Sequence, residues 1–134
     1  MNSRWLVAAA VVLSMGCATQ QKEQAVTLHA PAGTTAAVSQ QLEQGNGLFK
    51  QQDWQGAKAV YEATIKAEPS LAEAHYNLAL TLERLGDKAA ARAQYIQAAN
   101  LAPGNKVIWD APPLRKHETT LGLEKKSFMD ANPR

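Results

Sequence analysis

Three histidines, one cysteine and a scatter of carboxylates are the side chains here that could do chemistry beyond packing. Cys17 is the single thiol, so no internal disulfide can form. His29, His75 and His117 lie far apart, and none stands in the HxxxH or HExxH spacing that sets two metal ligands on one helical face. No glycine-rich loop follows a strand to cradle phosphate. Glu62, Glu68, Glu73 and Glu83 fall on helical surfaces rather than pairing in an apolar pocket, as general acid–base work would require. The inventory therefore predicts no catalytic residue, no metal, no cofactor and no small-molecule substrate site. His75 is expected to pack in a helical core, and His29 to be a solvated linker histidine.

The elements that would position these groups repeat themselves. Shifted by 34 residues, Pro103 falls on Pro69, Tyr95 on Tyr61, Ala91 on Ala57, Asp87 on Asp53, Leu82 on Leu48 and Ala79 on Gly45. A fixed period of this size marks stacked helical units, each burying its apolar face on the next. In the second copy Ala74, Leu78, Ala79, Leu82 and Leu85 recur at helical spacing, as do Ala91, Tyr95, Ala98 and Leu101 after a break at Gly86-Asp87. Gly86 frees the backbone to end the first helix, Asp87 caps the second, and Pro103-Gly104 closes the unit. Gly45 and Ala79, facing Ala57 and Ala91, let paired helices approach closely beside Tyr61 and Tyr95.

This pattern resembles the tetratricopeptide repeat, a helix-turn-helix unit with small residues at the helix crossing, an aromatic in the second helix and a closing proline. The second copy, 72–105, carries the resemblance through Ala72-Glu73-Ala74, Tyr76-Asn77-Leu78, Gly86-Asp87, Ala91, Tyr95, Ala98, Leu101, Pro103 and Asn105. The first, 38–71, keeps Gly45, Leu48, Asp53, Ala57, Tyr61 and Pro69 but departs at Gln44 and Thr64. The resemblance implies an all-α fold of two tandem repeats, a short α-solenoid. It also implies a groove, lined by the first helix of each repeat, that takes another protein or a peptide segment. Carried over, the lining is Leu42, Asn46, Phe49 and Lys50 from the first repeat, and Glu73, Tyr76, Leu80, Glu83 and Arg84 from the second. Tyr76 and Arg84 are expected to lie outside the seam between helices, free to meet a partner.

Before the repeats, residues 1–16 carry one basic residue, Arg4, and a short apolar run, WLVAAAVVL. A membrane-spanning helix needs roughly 20 apolar residues, so an export signal is the expectation. LSMGC resembles the lipobox of bacterial lipoproteins, with Leu13 one place further from the cysteine than usual. The resemblance implies acylation of Cys17 and a lipid anchor, and Ala18 after it implies the outer membrane, on its periplasmic face. Cleavage after Ala18 or an uncleaved anchor are the alternatives. Residues 17–37, rich in Gln, Thr and Ala and interrupted by Pro31-Ala32-Gly33, read as lipidated cysteine and flexible tether, holding the domain on the order of 25 Å from the membrane.

Between Val38 and Pro103 six Lys and Arg stand against seven Asp and Glu, which excludes the basic face that nucleic acid needs. Residues 106–134 begin a third unit with Lys106-Val107-Ile108-Trp109, and Pro112-Pro113 stops it. Leu114, Leu121 and Phe128 recur every seven residues, a stripe suited to a terminal capping helix, with Trp109 as a wedge on the end of the stack. Two repeats need such a cover, because an array usually requires about three to bury a continuous core. The expected function is a membrane-anchored adaptor or assembly factor in the bacterial envelope, similar in plan to repeat lipoproteins of pilus and secretion-system biogenesis. A regulatory adaptor docking a cell-wall hydrolase or protease is the alternative.

Overall fold

A computed structural model describes residues 25–115. These contain six helices and no strand: α1 (Ala36–Lys50), α2 (Trp54–Ala67), α3 (Ala72–Leu85), α4 (Lys88–Leu101), α5 (Lys106–Trp109) and α6 (Pro112–Arg115). Consecutive helices pair as α1 on α2 and α3 on α4, and α2 packs on α3 to stack one pair on the other. Residues 1–16, the expected export signal, and Cys17 lie outside the described residues, as do His117, Leu121 and Phe128.

Local chemistry fixes where each helix starts and stops. Asp53 accepts a hydrogen bond from the Gly56 N–H at 2.9 Å, and Asp87 accepts one from the Ala90 N–H at 3.0 Å, each satisfying a free donor in a helix's first turn. Gly86 closes α3 at φ 87°, the left-handed conformation that glycine adopts without steric cost. One repeat earlier the same place holds Gln52 at φ 63°, so the first unit makes the same turn with a side chain in the way.

The core follows the small-faces-large pattern. Ala57, Ala74, Ala79, Ala91 and Ala98 are buried, and Tyr61 and Tyr95 are the largest fully buried side chains. At Gly45 the helices come so close that a Cβ would stand 2.5 Å from Cε1 of Tyr61. The two tyrosines hold equivalent places yet reach different partners: Tyr61 donates its hydroxyl to Asn46 Oδ1 (2.7 Å), and Tyr95 donates to Glu83 Oε2 (2.9 Å). His75 is buried as expected, with Nε2 donating to the Pro69 carbonyl (3.0 Å) and Nδ1 meeting the side-chain amide of Gln94 (2.7 Å).

Two sequence expectations are corrected here. The wedge on the end of the stack is Ile108, fully buried, while Trp109 is 42% exposed. On a single helical turn the next residue points about 100° away, so only one of the two can face α4. α5 and α6 both pack on α4, Pro112 opens α6 where its missing N–H leaves nothing unsatisfied, and Leu114 rests partly buried on the core.

The tether is the second correction. Residues 25–35 do not hang free: Thr27 is buried, and Ala25, Leu28 and Ala30 pack against the core. A tight turn at Pro31–Thr34, closed by the Thr34 N–H on the Pro31 carbonyl (3.2 Å) with Gly33 at φ 96°, folds this strap back along α1. Its backbone finds hydrogen-bond partners on the repeats, which composition alone did not reveal.

Candidate functional site

The strap lies where α1 and α3, the first helices of the two units, come side by side. Two asparagines hold it there. Leu28 donates its N–H to Asn77 Oδ1 at 2.7 Å, and its carbonyl accepts from Asn77 Nδ2 at 2.8 Å and from Asn46 Nδ2 at 3.1 Å. Asn77 Nδ2 also donates to Asn46 Oδ1 at 2.9 Å, the same oxygen that takes the Tyr61 hydroxyl. Each amide thus reads or relays a neighbour, and no polar group of the pair is stranded in a place where both residues are almost fully buried. A side-chain amide carries the donor and acceptor of a peptide group, so Asn77 pairs with Leu28 much as a neighbouring strand would.

The two ends of the strap differ in charge. His29 is exposed, in keeping with a solvated histidine, and its Nδ1 pairs with Glu43 Oε1 at 2.6 Å. At the other end Ala25, Val26 and Thr27 border a pocket of about 360 Å³ shared with Phe49, Lys50, Gln52, Trp54 and Arg84. Phe49 meets Trp54 edge to face (centroids 5.0 Å), and the Arg84 guanidinium lies 5.8 Å from the Trp54 ring centre. Lys50 and Arg84 make no ion pair among the described residues, so this mouth is cationic and aromatic.

The residues expected in the groove sort into three groups. Asn46 binds the strap's backbone; Phe49, Lys50 and Arg84 line the pocket. Leu42, Tyr76 and Leu80 are buried and serve packing. Tyr76 is a correction: it stacks edge to face on Tyr95 at 5.6 Å, which puts it inside the α3–α4 seam rather than outside it. Glu83 is exposed but receives the Tyr95 hydroxyl, and Glu73 makes no hydrogen bond or ion pair among the described residues. Burial, and next Glu43, raises the Tyr61 phenol above its ordinary range. Burial, and next the hydrogen bond to Glu83, does the same to Tyr95, and burial with Glu83 raises Tyr76.

Asn77, like the pocket residue Trp54, is a site residue that the sequence reading missed. It stands 31 residues after Asn46, one helical turn short of the repeat, so superposing the two copies does not align the pair. The available signal was an amide on an otherwise apolar face, which demands a buried partner.

Residues 42–106 match the tetratricopeptide repeat family. The match spans all of α2, α3 and α4 and most of α1, including Asn46, Asn77 and the Phe49, Lys50, Gln52, Trp54 and Arg84 side of the pocket, while the strap lies outside it. Tetratricopeptide repeats bind other proteins or peptides and are typically non-catalytic. Comparison with curated proteins and with solved structures finds no match. Among the described residues no group of three His, Cys, Asp or Glu is placed to hold a metal, and no helix is long and apolar enough to cross a membrane.

Proposed function

We propose that this protein is a non-catalytic adaptor of the bacterial envelope, anchored through an acylated Cys17, whose repeat groove takes an extended segment of another protein. The observation that carries the reading is the Asn46–Asn77 pair, which grips both the N–H and the C=O of one residue, Leu28. Recognition through the main chain tolerates many sequences and gains its selectivity from pockets beside the backbone. Phe49, Trp54, Lys50 and Arg84 form such a pocket, with the aromatic and arginine types that most often carry interface energy.

The apolar run, the small residue before Cys17 and Ala18 after it support an anchor at the periplasmic face of the outer membrane. Cys17 is eight positions before Ala25, a span of no more than roughly 30 Å even fully extended, so the groove would work close to the lipid surface. Assembly of a pilus or secretion system is the kind of process that uses such an adaptor. Two measurements test the reading. Intact-mass analysis and detergent partitioning should find a lipidated species beginning at Cys17 that Cys17→Ala abolishes; a mature chain starting at Thr19 with no added mass contradicts the anchor. Cross-linking in membranes should recover a partner that Asn46→Ala and Asn77→Ala lose and that Lys58→Ala, on α2, retains. Undiminished capture by both asparagine variants moves the interface elsewhere.

A further inference from the structure

We infer that the strap, residues 25–30, is a built-in ligand that keeps the groove closed, so that a partner must displace it to bind. The inference rests on the adaptor reading but makes a separate claim, that the chain's own N-terminal segment and the partner compete for one set of main-chain contacts.

Three observations carry it. First, the strap uses up the groove's specific polar groups: Leu28 takes both functions of the Asn77 amide and the Nδ2 of Asn46. No second extended backbone can make those bonds while Leu28 holds them. Second, the strap is held lightly. Apart from Thr27 none of its residues is fully buried: Ala25, Leu28 and Ala30 are half-covered, and Val26 and His29 are exposed. A segment with few buried apolar contacts sits at the low end of local stability and opens without unfolding the rest. Third, its tether is short and shaped for return. The Pro31–Thr34 turn, with Gly33 in the left-handed region, joins the strap directly to α1. A segment so closely linked acts at an effective concentration in the millimolar range, and the apparent affinity of every competitor for the same groove falls by the fraction of time the strap leaves it open.

The pocket gives the competitor a place to start. Its Lys50, Trp54 and Arg84 side are not covered by a hydrogen bond or ion pair from the strap, so a partner can engage there before it replaces Leu28.

The test uses the full chain and a labelled synthetic peptide of residues 22–32 as probe. Leu28→Pro removes the N–H that Asn77 accepts, and Gly33→Val forces a β-branched residue into a positive-φ turn where no other atom lies within 4 Å, so it strains the strap without touching the groove. Both variants should bind the probe on the order of ten-fold more tightly than the native chain, with helicity unchanged. Equal affinity in all three overturns the gate, and so does a probe that binds none of them. The adaptor reading fails or stands on different evidence. A partner cross-linked equally by the native chain and by Leu28→Pro leaves the adaptor and removes the gate. Gated binding of the probe in a chain whose partner ignores Asn46 and Asn77 leaves the strap and removes the groove adaptor.

Discussion

Replacing the two asparagines should separate what belongs to the strap from what belongs to the core. Asn77→Ala deletes three hydrogen bonds, two to Leu28 and one to Asn46. At roughly 0.5–1.5 kcal/mol net for each, the sum reaches several kcal/mol, but the strap can let go, and water then satisfies Leu28. Asn46 Oδ1 keeps the Tyr61 hydroxyl throughout. The cost in local stability of the strap should therefore be about 2 kcal/mol, a roughly thirty-fold loss of hydrogen-exchange protection at the Leu28 amide. Asn46→Ala loosens the strap less, because only the Leu28 carbonyl loses a donor, yet it strands the hydroxyl of Tyr61, whose side chain is fully buried. An unpaired buried hydroxyl costs about 1–3 kcal/mol, and here it falls on global unfolding. Chemical denaturation and amide exchange, run on both variants and on Asn46→Ala with Tyr61→Phe, give the two numbers separately. Tyr61→Phe should recover part of the Asn46→Ala loss by removing the stranded group. Unchanged protection of Leu28 in Asn77→Ala, or no recovery from Tyr61→Phe, refutes the reasoning.

Three further outcomes follow from the packing. Gly45→Ala drives a methyl to within 2.5 Å of the buried Tyr61 ring; overpacking of about 1–3 kcal/mol should outweigh the roughly 1 kcal/mol that alanine gains in a helix, and a raised melting temperature would contradict the close approach. Gln52→Gly relieves the left-handed turn between α1 and α2 and should stabilise by about 1 kcal/mol in denaturant titration, whereas Gly86→Gln should destabilise by a similar amount. Tyr61, Tyr76 and Tyr95 all have phenols raised by burial, so folding holds them neutral where the unfolded chain would ionise. Their contribution is intact below pH of about 10 and is lost as pH rises above it, at up to about 1.4 kcal/mol per pH unit for each tyrosine, with phenolate absorbance appearing together with unfolding.

The repeats were legible because their determinants are local and doubled. Gly86-Asp87, Ala91, Tyr95 and Pro103 each announce a turn, a crossing or a stop, and Asp53, Ala57, Tyr61 and Pro69 say it again 34 residues earlier. The expected fold class, all-α with tandem helix-turn-helix units, is what α1 to α4 form. The strap was not legible, because polar, Gln- and Thr-rich sequence carries no period, and what orders Leu28 is a pair of amides 18 and 49 residues away. Tyr76 was misplaced for a related reason. Helical spacing gives a residue's face but not whether the neighbouring helix, here through Tyr95, already covers it. Ile108 and Trp109 differ by one step on a four-residue helix, too short for periodicity to choose between them.

The central claim is that one groove, read by Asn46 and Asn77, holds an extended main chain belonging either to the strap or to a partner. A photo-reactive residue in place of the exposed Lys50, on the pocket beside Ala25, Val26 and Thr27, tests it in native membranes. Mass spectrometry of the adducts should find two exclusive sets, one to residues 25–27 of the same chain and one to a segment of a second protein. Leu28→Pro should shift yield from the first to the second, and Asn77→Ala should diminish both. Adducts to a partner whose yield is indifferent to Asn77 and Leu28 would contradict the claim.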